Sequence, residues 1–100
     1  MRVHAEHGLF EVTDHAELKD RGAFVVGRIV DGVIRPGMRV TTRLDPPVLT
    51  ISGVESLDNL LERKHCTALV FAEHPTLEFL ARAFPIGGLV DVEAEINRAS

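Results

Sequence analysis

Five histidines, one cysteine and fifteen carboxylates are the residues in this chain that chemistry would draw on. His4 and His7 stand in an H-x-x-H spacing, with His15 further on. A zinc site takes three or four ligands at close spacing, so two histidines beside a chain end read as exposed side chains rather than a metal centre. His65 and Cys66 are adjacent. Neighbours along a strand point to opposite faces, so His65 is not placed to activate Cys66 as a nucleophile. Cys66 opens an apolar run and reads as a small hydrophobe. Glu55, Asp58 and Glu62 are spaced by three and four. Carboxylates so spaced can do acid–base work or hold a cation, but nothing around them fixes their separation or shields them from water, and a solvated turn accounts for them. No G-x-x-x-x-G-K-[ST] or G-x-G-x-x-G is present, which excludes nucleotide hydrolysis through a P-loop. No catalytic set, metal or cofactor is expected.

The arginines are more informative. Arg21, Arg28, Arg35, Arg39 and Arg43 face only Asp31 between residues 21 and 43, in a chain of net charge −4. Arginine suits planar, bidentate contact with phosphate or carboxylate. A solvated strand face with surface salt bridges is the plainer reading. The overall acidity does not indicate a general nucleic-acid binder.

These residues sit on a β-rich pattern. Leu9–Asp14 reads as a strand with Phe10 and Val12 on one face, and His15–Gly22 as a polar loop. Ala23–Val30 is strongly β-forming. Asp31-Gly32 between β-branched residues predicts a hairpin, and Pro36-Gly37 a second turn. Met38–Leu44 alternates cleanly: Met38, Val40, Thr42 and Leu44 on one face, Arg39, Thr41 and Arg43 on the other. Asp45-Pro46-Pro47 ends that run. Val48–Val54 is the next strand, with Gly53 marking a bulge or a close approach. Leu57–Lys64 reads as an irregular linker, and Cys66–Phe71 as a short apolar strand.

Leu77, Leu80, Ala81 and Phe84 then recur at i, i+3, i+4 and i+7, which predicts a short amphipathic helix over Thr76–Phe84, framed by Pro75 and Pro85. Val90, Val92, Ala94 and Ile96 form one face of a last strand, with Asp91, Glu93 and Glu95 on the other. Six or seven short strands and one helix in 100 residues predict an all-β fold: a small closed antiparallel barrel, whose closure removes exposed edges. The expected organisation is a single domain over 1–100, with the barrel core at about 9–92 and flexible ends at 1–8 and 97–100. With no long apolar run and no signal-like start, no membrane association is expected. A lone cysteine excludes an internal disulfide, and the chain reads as cytoplasmic.

The stretch GAFVVGRIVDGVIRPGMRV, Gly22–Val40, resembles domain 2 of the translational GTPases of the elongation factor Tu family. Gly22, Val25, Gly27, Arg28, Ile29, Gly32, Ile34, Gly37 and Val40 fill that family's pattern in register. FEVTDHAELKDRG is similar to its lead strand and loop, and GVESLDNLLERKHCTALVF to its Gly-Val-Glu segment, linker and buried strand. The resemblance covers about residues 9–92 and implies a β-barrel. It also implies that Ile29 and Glu55 could hold the terminal adenine of an RNA 3′ end, an aliphatic wall and a carboxylate suiting that base. An arginine that assists in the family is Asp58 here. The family's GTPase domain is not among these residues, so no GTP switch is expected. The helix is longer than the matching connection in the family, and could cover a barrel end or offer a docking surface.

The leading functional expectation is therefore a non-catalytic interaction module for a protein or ribonucleoprotein partner. The alternative is an RNA-end binder related to translation, with Arg28, Ile29 and Glu55 forming a pocket and Arg39 and Arg43 as phosphate contacts. An enzyme has least support. A homodimer is compatible with either reading, since small barrels can pair through uncovered faces.

Overall fold

The computed structural model describes residues 7–20, 22–59 and 64–94. His4, Arg21, Glu62, Glu95 and Ile96 lie outside the described residues, as do the predicted flexible ends apart from His7 and Gly8 and the side chains of 57–59, 64 and 65, including Asp58 and His65. Six strands and one helix follow in order: β1 (His7–Leu18), β2 (Gly22–Gly32), β3 (Arg39–Thr41), β4 (Val48–Asn59), β5 (Lys64–Phe71), α1 (Leu77–Ala83) and β6 (Leu89–Glu93). All pairings are antiparallel, and the strands close in the order β1-β2-β5-β4-β3-β6. The closed all-β barrel with one short helix is the fold the strand pattern predicts. No described helix is long and apolar enough to cross a membrane.

Inward residues from every strand meet in one core. Phe10, Val12, Val25, Val40, Leu49, Ile51, Leu69, Phe71 and Val92 are almost wholly buried. Burial of side chains this size is the main stabilising contribution, at about 1.5–3 kcal/mol each. The connection from β2 to β3 adds Ile34 and Met38 to the core. It is fixed by the Gly37 N–H donating to the Ile51 carbonyl (2.7 Å), with Gly37 at φ +96.

Four expectations are corrected. Asp31-Gly32 makes no hairpin. Gly32 still pairs with Gly8, and β2 and β3 are not neighbours. The tight connection comes earlier, between Leu18 and Gly22, so His15–Leu18 is strand rather than loop. Pairing with the apolar run Ala23–Val26 outweighs the polar composition of that segment. Leu57–Asn59 and Lys64–His65, expected as linker or lead-in, are paired strand. On α1, Leu77 and Ala81 are exposed, while Phe79 and Ala83 pack beside the buried Leu80 and Phe84. The helix is thus rotated from the face its spacing suggested. Thr76, not a helical residue, caps it by accepting from the Phe79 N–H at 3.0 Å.

The Gly53 interruption is a bulge. Ile51 faces Phe71 and Gly53 faces Val70, leaving Ser52 as the extra residue. This lets β4 serve β3 with its first residues and β5 with the rest.

Candidate functional site

The barrel distributes the five residues of the expected pocket. Arg28 is exposed on the outer side of β2, and its Nε donates to Glu11 Oε1 at 2.6 Å. Ile29 is 37% exposed and lies opposite Phe10, on the side of β2 that turns toward the core. Glu55 is half-buried on β4 opposite Ala68, which itself faces Val26. Val54 and Leu69 occupy the inward side beside that pair. Strand alternation therefore sets Ile29 and Glu55 on opposite faces of the sheet. Arg39 is exposed on β3 with Thr50 on one side and Glu93 on the other.

Arg43 leads to a different place. β3 pairs with β6 only at Arg39↔Glu93 and Val40↔Val92. Beyond Val40 the chain is turned away by a local knot of bonds around the buried Thr42. Its N–H donates to the Pro47 carbonyl (2.6 Å), its hydroxyl donates to the Pro46 carbonyl (2.8 Å), and the Thr42 Oγ1 accepts from the Leu44 N–H (3.1 Å). The seam between β3 and β6 opens into a groove of about 570 Å³. Its walls are Thr41–Leu44 and the end of α1 at Arg82–Pro85, and its floor is Gly88–Asp91 with Glu93.

β6 offers main chain to this groove. The Val12 N–H donates to the Gly88 carbonyl at 3.0 Å. In an antiparallel ladder, alternate residues direct their peptide groups to the same edge. Val90 and Val92 thus turn toward β1, and the peptide groups of Leu89 and Asp91 toward β3, Asp91 beside the last rung and Leu89 beyond it in the groove. The side chains supply both charge signs: Arg43 and Arg82 on the walls, Asp91 and Glu93 on the floor. Asp91 Oδ1 also meets His7 Nε2 at 3.2 Å. Leu89 is 61% exposed and Phe84 closes the inner side. Phe84 is held there by stacking on Phe71 (centroids 5.9 Å apart) and by His15 Nε2, 2.6 Å from its carbonyl oxygen.

Of the five residues of the expected pocket, only Arg43 lines this groove. Arg82 and Asp91 fell within the predicted helix and last strand but were assigned to no site. The available signal was the Asp45-Pro46-Pro47 break, which shortens β3 so that β6 outruns it. Among the described residues, no group of three His, Cys, Asp or Glu side chains could hold a metal ion. Comparison of the chain with protein-family models, with curated proteins and with solved structures finds no match.

Proposed function

We propose that this barrel is a non-catalytic binding module, and that the β3–β6 groove takes an extended peptide segment of a partner protein. The observation that carries the reading is the open edge of β6 at Leu89–Asp91, inside a groove with an apolar side and two opposed pairs of charges. A segment laid along β6 gains main-chain hydrogen bonds from that edge, with side-chain contacts setting specificity. Arg43 and Arg82 favour an acidic residue on the partner, and Asp91 and Glu93 a basic one. The resemblance to domain 2 of translational GTPases supports a barrel that works by binding. The RNA-end pocket that the same resemblance implies has less support, because Ile29 and Glu55 lie on opposite faces.

The test is selection of peptides from a displayed random library, followed by amide-resolved NMR titration of an enriched peptide. Shifts should cluster at Thr41–Leu44 and Leu89–Asp91. Arg43→Glu combined with Arg82→Glu should weaken binding about tenfold or more, as truncating recognition charges commonly does. A short CCA-ended RNA is titrated in parallel at low salt. Failure to enrich any peptide, together with RNA-induced shifts at Ile29 and Glu55 that fade with salt, would replace the peptide reading with the RNA one.

A further inference from the structure

β2 runs on after its pairing with β5 has stopped. Gly27↔Thr67 is the last rung: β5 continues to Lys64 but pairs there with β4, and Arg28–Gly32 make no described rung on that edge, while the other edge keeps its pairing with β1. All five residues from Arg28 to Gly32 are exposed, Val30 by 48%. An apolar, exposed edge of this kind is a template for another strand.

The side chains on this edge have a particular order. Arg28 lies opposite Glu11, and Asp31 opposite Leu9. Glu11 and Leu9 are two apart on β1 and share a face. Arg28 and Asp31 therefore share that face too, although they are three apart. The cause is the register shift at this point, which leaves Val30 as an extra residue beside Ile29. The edge thus carries one positive and one negative charge on the same side, at mirror positions about the Ile29–Val30 pair.

We propose that this edge pairs with the same edge of a second copy of the chain, antiparallel about a two-fold axis between Ile29 and Val30. Arg28 of each copy then stands opposite Asp31 of the other, and Ile29 opposite Val30. Such a contact is isologous and closes after two subunits. Opposite-charge and β-branched cross-strand pairs are both favourable. The register is selected by charge: a slip of one residue in either direction leaves both charges unmatched, and parallel pairing sets Arg28 against Arg28. A single charge guards an edge against pairing, whereas one of each sign at mirror positions guides it. Arg28 already gives its Nε to Glu11, and its terminal guanidinium nitrogens are further donors, so it bridges Glu11 of its own chain and Asp31 of the other.

The contact is short and belongs to the small, reversible class of interfaces. Sedimentation velocity over roughly a hundredfold concentration range should show a monomer–dimer equilibrium. Arg28→Asp and Asp31→Arg should each raise the dissociation constant about tenfold or more, since like charges then face each other. The double variant carrying both changes should restore it. Asp31→Arg leaves the Arg28–Glu11 pair in place, and circular dichroism checks that each variant is folded. A chain that stays monomeric throughout the range overturns the proposal. So does a dimer indifferent to either reversal, or a double variant that fails to recover association.

Discussion

Gly27 is one of three described glycines, with Gly8 and Gly32, where a side chain would clash with backbone. A Cβ at Gly27 would lie 1.9 Å from the Glu11 carbonyl oxygen and 2.8 Å from the Phe10 ring. Neither neighbour can yield, since Phe10 is wholly buried and Glu11 belongs to the facing strand. Gly27→Ala should cost about 3 kcal/mol or more in urea denaturation, at the upper end of overpacking effects. Gly53→Ala is the control. Its Cβ would meet Val70 at 3.7 Å and the Glu55 carboxylate at 3.9 Å, ordinary contacts, and the change should stay within about 0.5 kcal/mol. Thr42 is the one buried polar residue of the described chain. Thr42→Val keeps its shape but strands the Leu44 N–H and the Pro46 carbonyl. The expected cost is about 2 kcal/mol, with Thr42→Ser recovering most of it in the same assay.

At the scale of elements, the helix is anchored by two buried residues, with Phe79 and Ala83 packed beside them. Leu80 is wholly buried and Phe84 stacks on Phe71. Leu80→Ala should destabilise by about 3 kcal/mol. Thr76→Ala removes only the cap and should cost about 1 kcal/mol. Thermal melts of the two variants should separate in that order. This helix also shows how far the chain could be read in advance. Its position was legible from Pro75, Pro85 and the apolar spacing. Its orientation was not, because Leu77 and Phe79 are equally apolar and only the packing of α1 against β1 and β2 chooses between them. β3 was legible in its facing but not its length. The alternation of Arg39, Thr41 and Arg43 against Met38, Val40 and Thr42 matches the burial observed. Yet the expected strand Met38–Leu44 is paired only over Arg39–Thr41, because the bonds around Thr42 turn the chain away. The Asp31-Gly32 signal misled for a physical reason. A glycine at φ +74 ends β2 where Gly8 and His7 press against it, with the His7 carbonyl 2.1 Å from a would-be Cβ. Local composition distinguishes that crowding from a two-residue turn poorly. The groove was legible only through the Asp45-Pro46-Pro47 break, because it depends on β6 lying beside β3, two strands separated by half the chain.

At the scale of the whole molecule, the barrel is unevenly sealed. β1 and β2 pair along ten positions, β3 and β6 along two. Opening free energies follow the local density of packed and bonded contacts. Hydrogen exchange should therefore be fastest among the strand amides of the β3–β6 seam and slowest in Val12 and Val25, with the difference shrinking under conditions where exchange requires global unfolding. Uniform protection around the barrel would contradict this order. A seam that opens at low cost also suits the proposed occupant, which replaces the missing rungs rather than displacing existing ones.

Closure sets the first strand beside the last: His7 is the cross-strand partner of Glu93, and Gly8 of Val92. The two ends of the described chain consequently leave the barrel as neighbours, roughly 5 Å apart at the last rung. The connectivity of the fold can then be cut and rejoined without moving a strand. A circular permutant that links the two ends and opens the chain at Lys19–Asp20, an exposed turn, should fold to the same barrel with the same seam, as domains with adjacent termini commonly do.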